Sequence, residues 1–356
     1  MTLGQGETRI FITERGNGRF VCDLSPYVAS ATYNFARNQI GTASIDLAFG
    51  ESPTGERCAD EFAQVEPWAH ELQIVRDGQP AFCGPISRRP MVTGQTGTLD
   101  ANSMLAWLDV RFARNDRDYT AGVDGSTFVS VMLQDALLID DPNWYQYIVV
   151  KPGIPSISRN VVSVEDNLVW TDVLLPQMGG TFDCTSVGRA AWFWPAKAAL
   201  GYIPHSLTIE DFGGEWEMDL DGTKFATRMA VHGDSETAVR GVAGVISPRY
   251  GLVERRFEDT SIMANFQAAA TAQLNLTERP PLVITGDSGL GTLSCDANVE
   301  FRHLIPGSFA RVSLISGREQ VDRFLRLETV EVQLNTDQKN LPESVACTWS
   351  DVARVG

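Results

Sequence analysis

The 356-residue sequence is short of positive charge. It has 29 lysines and arginines against 45 aspartates and glutamates, which gives a net charge of −16. Proteins that bind nucleic acid tightly do so largely by neutralising phosphates with Lys and Arg. Tight DNA or RNA binding is therefore not expected. The same charge suits a surface past which DNA moves without sticking, or simply a well-solvated protein.

Lysine in particular is scarce, since it occurs only at positions 151, 197, 224 and 339 and every other basic residue is arginine. Arginine is favoured at protein interfaces because its planar fork pairs bidentately with carboxylates and stacks on aromatic rings. A GC-rich genome would produce the same bias, so both explanations stay open.

Metal-binding, disulfide and membrane signals are also missing. The six cysteines form no C-x-x-C pair and the four histidines are widely separated, which disfavours a zinc site and a dense disulfide framework. No apolar run approaches the roughly 18 residues that span a bilayer. The N-terminus lacks the apolar segment of a signal peptide. We therefore expect a soluble protein made in a cytoplasm, without cofactor or metal.

Strand signals dominate residues 8–112. Short runs such as TASIDLAFG alternate apolar and polar residues, as half-buried strands do. Asn17-Gly18 and Asp77-Gly78 predict tight hairpin turns, because both central positions of such a turn need a positive φ. With no long helix in view, this part of the chain predicts a barrel or sandwich.

Residues 113–205 change character. Ser126 is predicted to cap a helix over 127–138, and a capping-box pattern at Ser163 opens a second helix over 166–175. A strand pair, TFDCTSV and AAWFWP, follows around Gly188-Arg189. The pattern predicts a small α+β unit.

Beyond residue 206 the strand pattern returns. EWEMDL and KFATRMAVHG flank Asp221-Gly222 and predict another hairpin. Residues 260–275 predict a helix with apolar Ile262, Phe266 and Ala269/Ala270 on one face. The predicted fold is mainly β with α+β insertions, arranged as barrel-like domains over 1–112 and 206–356 and a small α+β domain over 113–205.

Two motifs resemble catalytic or metal sites. Gly-Asp-Ser-Gly within TGDSGLG would make Ser288 a protease nucleophile with His70 as its base, but the flanking residues differ from that pattern and a loop is favoured. Asp219 and Asp221 are spaced like the start of a calcium loop. The further oxygen ligands of such a loop are missing, so a hairpin turn is favoured.

Carboxylates and tryptophans leave two alternatives open. A glycosidase-like pair could come from Glu210-Asp211, Glu215, Glu217 or Glu331, although any choice among 45 acidic residues is arbitrary. The eight tryptophans include Trp192 and Trp194 in WFW, together with Trp68, Trp107 and Trp170. These could stack on carbohydrate or form an interface, but core packing is favoured for most of them.

In succession, several stretches resemble the hub proteins at the tip of long-tailed bacteriophages, in particular minor tail proteins and the N-terminal part of tail-associated proteins. The matching segments are YNFARNQIGTASIDLAF (33–49), PWAHELQIVRDGQPAFCGPI (67–86), LTIEDFGGEWEMDLDGTKFATRMAVHG (207–233), RYGLVERRFEDTSI (249–262) and VEFRHLIPGSFARVSL (299–314). Each motif is structural and loose, so the resemblance rests on their order.

The resemblance implies a non-enzymatic virion protein with no catalytic, cofactor-binding or metal-binding residues. It implies a homotrimeric ring of two-barrel subunits that adapts a sixfold tail tube to a threefold tip around the DNA exit channel. The implied partners are a distal tail protein ring, the tape measure protein and peripheral tail-tip or receptor-binding proteins. A peptidoglycan-degrading tip enzyme and a host-glycan-binding tip module are the alternatives.

Overall fold

The computed structural model describes residues 3, 6–16, 18–90, 96–138, 147–162, 168–213, 216–220, 222–223, 225–234, 238–260, 262, 264–276, 279–286, 291–316, 319–335 and 343–351. Strands dominate these residues, and the helices among them are short. The mainly β fold class is confirmed.

The first part of the chain forms β1 (Thr8–Glu14), β2 (Phe20–Asp23), β3 (Val28–Ala36), β4 (Thr42–Ala48), α1 (Pro53–Ala63), β5 (His70–Arg76), β6 (Gln79–Arg88) and β7 (Thr96–Asn102). The middle part forms α2 (Ala106–Asp109), β8 (Arg117–Asp118), α3 (Gly125–Leu137), β9 (Ile148–Val150), β10 (Asn160–Val161), a π-helical turn (Val169–Leu174), a 3-10 turn (Leu175–Gln177), β11 (Phe182–Val187) and β12 (Ala190–Pro195).

The last part forms β13 (Leu207–Thr208), β14 (Trp216–Leu220), β15 (Arg228–His232), β16 (Arg240–Gly244), β17 (Glu254–Glu258), α4 (Asn265–Leu274), β18 (Leu282–Gly286), β19 (Gly291–Leu293), β20 (Phe309–Ser316), β21 (Glu319–Asn335) and β22 (Glu343–Asp351). Further 3-10 turns cover Ser25–Tyr27, Ile209–Asp211 and Phe301–His303.

One large sheet joins the two ends of the chain. Its strand order is β14-β18-β22-β21-β3-β4-β7-β6-β5-β1-β2, with β13, β19 and β20 branching from this path. The link is the antiparallel pairing of β3 with β21, which runs from Ala36 opposite Thr329 to Ser30 opposite Asn335. Within the described residues the path stays open rather than closing into a barrel. The predicted barrel-like segments therefore share one sheet and one core, and the division into three domains stays a prediction.

The Asp77-Gly78 hairpin is confirmed. Asp77 has φ 51° and Gly78 has φ 73°, and β5 pairs antiparallel with β6 on either side of them. β5 also pairs with β1, so the hairpin lies inside the large sheet. Asn17 of the other predicted hairpin turn lies outside the described residues, but β1 and β2 pair antiparallel around it.

Helix α1 was not expected, because no long helix was predicted in residues 8–112. Its start is encoded locally: the Ser52 hydroxyl accepts a hydrogen bond from the Gly55 N–H at 3.1 Å, and proline occupies the first turn. Cys58 and Phe62 face the large core. The helix thus covers part of the sheet.

The α+β unit has its own core, lined by α3, the π-helical turn and the sheet β11-β12-β9. The hairpin β11–β12 is confirmed. The predicted Ser126 cap is wrong: Asp124 caps α3 by accepting the Thr127 N–H at 2.8 Å, while the Ser126 hydroxyl donates to the Lys151 carbonyl. The second predicted helix is present only as a π-helical turn followed by a 3-10 turn, and Ser163 lies outside the described residues.

The third predicted hairpin is wrong. β14 pairs with β18, whereas β15 pairs with β16 and β17 in a separate small sheet. The helix beside this sheet begins at Asn265 rather than 260. Its buried face is also different from the predicted apolar face, since Phe266 is 46% exposed and Gln267, Ala268, Thr271 and Ala272 are buried.

A polar face of α4 can be buried because its hydrogen bonds are made by the α+β unit. Gln267 accepts the Ser158 N–H at 2.8 Å and donates to the Gln177 amide oxygen at 2.6 Å. A buried polar group with partners costs little. Counting apolar residues by helical period missed this arrangement.

A buried ion-pair joint fastens the α+β unit to the large sheet. Asp183 of β11 is fully buried and accepts hydrogen bonds from Arg37 at 2.5 Å and from the Asn38 amide at 2.8 Å. Arg37 also donates to Glu328 of β21 at 2.6 Å. Burial alone would raise the pKa of Glu328, but the positive charges of Arg326 and Arg37 outweigh burial and hold that pKa at about 2.

Candidate functional site

The protease pattern finds no support in the part of the chain that the structure describes. Ser288 lies outside it. His70 is tied into its own turn, where its Nδ1 accepts the Glu66 N–H at 3.0 Å. A histidine that acts as a general base needs its Nδ1 or Nε2 directed at a nucleophile or at an orienting carboxylate.

The predicted carboxylate candidates that the structure describes lie at separate places in the fold. Asp211 caps a 3-10 turn, accepting the Thr208 N–H at 2.7 Å and the Asn298 N–H at 2.8 Å. Asp219 stands opposite Val283 in the β14–β18 pair and not in a calcium loop. Glu331 stands opposite Asn34 in the β21–β3 pair. Glu210 is exposed, Glu217 lies in β14, and Glu215 and Asp221 lie outside the described residues.

Metal and membrane signals are likewise missing from the described ranges. No group of three His, Cys, Asp or Glu side chains there could hold a metal ion. Nor is any helix in those ranges long and apolar enough to cross a bilayer.

The tryptophans do not form one platform. Trp194 is fully buried and donates its indole N–H to the Ala198 carbonyl at 3.0 Å. Trp68 and Trp107 pack edge to face at 5.1 Å, and Trp170 is buried in the core of the α+β unit. Only Trp192 of the WFW run is partly exposed.

Trp192 lines a cavity of about 290 Å³ between the large sheet and the α+β unit. Its walls are mainly apolar and aromatic, with Phe35, Tyr147 and Phe301 among them. The Arg189 guanidinium lies 5.8 Å from the Tyr147 ring and is ion-paired with buried Glu71. The cavity therefore has a fixed polar group on one side and apolar walls elsewhere.

Exposed aromatic side chains stand out on the outer face of β20 and β21. Tyr202, 68% exposed, packs edge to face on Phe309 at 6.0 Å and on Phe324 at 6.1 Å. Ile315 on the same face is 63% exposed. We call Tyr202, Phe309 and Phe324 the aromatic patch. The neighbouring charges neutralise each other, because Arg311 pairs bidentately with Asp322 at 2.9 and 2.8 Å.

A second exposed apolar group lies beside the small sheet. Val245 and Ile246 follow β16 and are 76% and 68% exposed, and Val242 and Leu252 are about half exposed. We call these four residues the apolar loop. Clusters of this kind mark interaction surfaces more often than single exposed apolar residues do.

Neither surface was identified from the sequence. The strand FARVSLIS alternates as any half-buried strand does, and only the fold shows which of its faces is left uncovered. Tyr202 lies far from Phe324 in sequence and reaches it through a bridge between Tyr202 and Phe309.

The whole chain shares its fold with phage tail proteins. A tail protein from Neisseria meningitidis MC58 matches with a TM-score of 0.61 and 11% identity, over 97% of this chain and 98% of that one. The 43 kDa tail protein of prophage MuSo2 from Shewanella oneidensis matches with a TM-score of 0.62 and 8% identity, over 96% and 98%.

Prophage tail protein gp18 from Listeria monocytogenes EGD-e also matches, with a TM-score of 0.60 and 11% identity over 95% of this chain and 94% of that one. No family model and no curated protein sequence matches the chain. The similarity is therefore one of fold, and it extends over nearly the full length of each neighbour.

Proposed function

We propose that the chain is a structural subunit of a phage tail and forms a homotrimeric hub at the tail tip. The observation that carries this proposal is the full-length similarity of fold to tail proteins, at 97% of this chain and 98% of the Neisseria protein. A shared domain of general use would cover only part of each chain, whereas here the whole architecture corresponds.

The charge of the chain supports a position around the DNA exit channel. With a net charge of −16, its surface repels phosphates on balance. A hub that lets DNA pass needs this property, because phosphate binding would hold the DNA in the channel.

The exposed apolar surfaces provide the contacts that such a hub needs. We assign the aromatic patch to contact between subunits, because its rings pack on one another and its flanking charges are already paired. The distal tail protein ring, the tape measure protein and peripheral tip proteins are the expected partners of the remaining surface.

The test is the mass of the purified chain in solution, measured by light scattering after size exclusion. We expect three times the mass of the 39.0 kDa chain, either alone or with a distal tail protein added. Changing Tyr202→Ser and Phe324→Ser together should weaken the trimer at least about tenfold, because hot-spot aromatics carry much of an interface's energy.

Phe112→Ser is the matched control, because Phe112 is 59% exposed and belongs to the segment after α2 rather than to β20 or β21. A stable monomer that never enters virions would contradict the hub proposal. Equal trimer affinity for the double variant and the control would contradict the assignment of the patch alone. Clearing of host cell wall by the purified chain would instead favour the enzyme alternative.

A further inference from the structure

The ion-pair joint holds more positive than negative charge. Among the described residues, two carboxylates, Asp183 and Glu328, lie next to three basic side chains, Arg37, Arg326 and Lys197. Glu328 already accepts hydrogen bonds from Arg37 at 2.6 Å, from Arg326 Nε at 2.8 Å and from the Ser350 hydroxyl. The unbalanced positive charge therefore lies on Lys197 and on Nη1 of Arg326.

Asp183 does not balance this excess positive charge. One of its oxygens accepts hydrogen bonds from Arg37 and from the Asn38 amide. The other accepts the backbone N–H of Lys197 at 3.1 Å and lies 3.7 Å from Arg326 Nη1, which is too far for a hydrogen bond.

Arg326 Nη1 is thus an orphaned donor in a buried place. Arg326 is 8% exposed, and its Nη1 has no hydrogen-bond partner among the described residues. Buried donors in proteins almost always have a partner. A guanidinium nitrogen in this position calls for an acceptor, and a negatively charged one would also balance the surplus charge.

Lys197 is half-buried and lies beside that guanidinium, because its backbone nitrogen and Arg326 Nη1 lie 3.1 and 3.7 Å from the same Asp183 oxygen. Burial, followed by the positive charges of Arg326 and Arg37, lowers the pKa of Lys197 to about 8, although Asp183 acts in the opposite direction. Its backbone is held in the left-handed region, with φ 63°, by the turn that follows β12.

We propose that Arg326 and Lys197 bind a small oxyanion of the phosphate or sulfate class at the edge of the joint. The planar donors of an arginine and the compact charge of a lysine are a common pair for such anions. The anion would bridge β21 of the large sheet and the turn after β12, and so strengthen the attachment of the α+β unit.

Binding is then coupled to the protonation of Lys197. An anion favours the charged ammonium and raises its pKa, so affinity is greatest below pH 8 and falls as pH rises through that value. The charged groups that act on the ammonium are Arg326 on β21, Asp183 on β11 and Arg37, which follows β3. Glu328 on β21 binds both of these arginines. Glu328, with its pKa of about 2, keeps its charge throughout this range.

The experiment is calorimetric titration of the full chain with sodium sulfate at constant ionic strength, using sulfate because it does not titrate near pH 8. We expect saturable binding at pH 7 that weakens about tenfold at pH 9.5 and by at least as much in Lys197→Met at pH 7. Arg302→Met is the control for loss of a positive charge, since Arg302 is an exposed cation that pairs with Glu300.

Unchanged sulfate affinity in Lys197→Met, or equal losses in Lys197→Met and Arg302→Met, would overturn the proposal. If the variants fold poorly, the unmodified chain still decides: the same affinity at pH 7 and pH 9.5, or the absence of saturable binding, contradicts it. These outcomes do not depend on whether the chain forms a trimer.

Discussion

The hairpin β5–β6 and the segment from β14 to β17 make an instructive pair of regions. Both contain an Asp-Gly pair between strands, at 77–78 and at 221–222. In the first region the flanking strands pair with each other and lie between β1 and β7. In the second, β14 joins β18 in the large sheet, while β15 joins β16 and β17 in a sheet of its own.

Burial differs as sharply as pairing does. β6 has an unbroken buried run from Ala81 to Ile86, whereas every residue of β17 is exposed. A turn signal specifies only local backbone geometry. Whether two strands then pair depends on how much apolar surface each buries elsewhere. In the hairpin β5–β6, the turn geometry and the burial of apolar surface both favour pairing of the two flanking strands. In the segment from β14 to β17 they do not.

The largest expected difference in stability between the buried and the exposed parts of the molecule comes from their ion pairs. Glu328→Gln removes the partner of Arg37 and Arg326 in the buried joint, and should lower the free energy of unfolding by about 3 kcal/mol. Glu254→Gln, which breaks an exposed pair with Arg228 in the small sheet, should change it by less than about 0.5 kcal/mol. Urea unfolding at pH 7 measures both, and equal losses would contradict the comparison.

The ion pairs of Glu328 also predict how the stability of the protein depends on pH. The folded-state pKa of Glu328, about 2, is below its unfolded value, so its contribution is fully present above about pH 4.3 and is lost as pH falls towards 2. Glu328→Gln should therefore flatten the loss of stability between pH 4 and pH 2. An unchanged acid profile would show that Glu328 is not the group responsible.

A smaller effect is expected from backbone crowding in the hairpin. A Cβ at Gly84 would lie 2.0 Å from the Asn102 carbonyl oxygen, so Gly84→Ala must push β6 away from the following segment. We expect a loss of about 3 kcal/mol or less. Gly222→Ala is the control, since no described atom lies within 4 Å of its Cβ position. Comparable melting temperatures for the two variants would disprove the steric argument.

The smallest expected loss of stability comes from changes in the turn alone. Gly78 has φ 73° and open space around its Cβ position, so Gly78→Ala should cost about 1 kcal/mol from backbone strain alone. Gly78→Asn should recover part of this loss, because asparagine tolerates the left-handed region. Thermal unfolding checks both variants, and a neutral alanine variant would mean that the turn does not constrain the hairpin.

Local patterns predicted local structure well. Alternation located β4, the Asp-Gly turn located β5–β6, and the Gly188-Arg189 turn located β11–β12. Helix details were less accurate, because neighbouring residues compete for the same role. Asp124 takes the cap predicted for Ser126, and the buried face of α4 follows the hydrogen bonds of Gln267 rather than apolar spacing.

The candidate surfaces could not have been predicted in the same way. The aromatic patch unites Tyr202, Phe309 and Phe324, and the proposed oxyanion site unites Lys197 and Arg326. Each set comes from separate strands or turns whose neighbourhood depends on long-range pairing. No spacing rule within one segment contains that information.

The sequence by itself determined the mainly β character, the short strands, the hairpin at Asp77-Gly78 and the strongly negative charge. Those properties follow from side-chain alternation, from the φ that glycine permits and from composition, all of which are local or additive. Tertiary structure alone decided that β3 pairs with β21, which strands share the large core, and which apolar side chains remain exposed. The reason is that pairing partners are chosen by the burial of whole faces, and a face is complete only when distant segments have met.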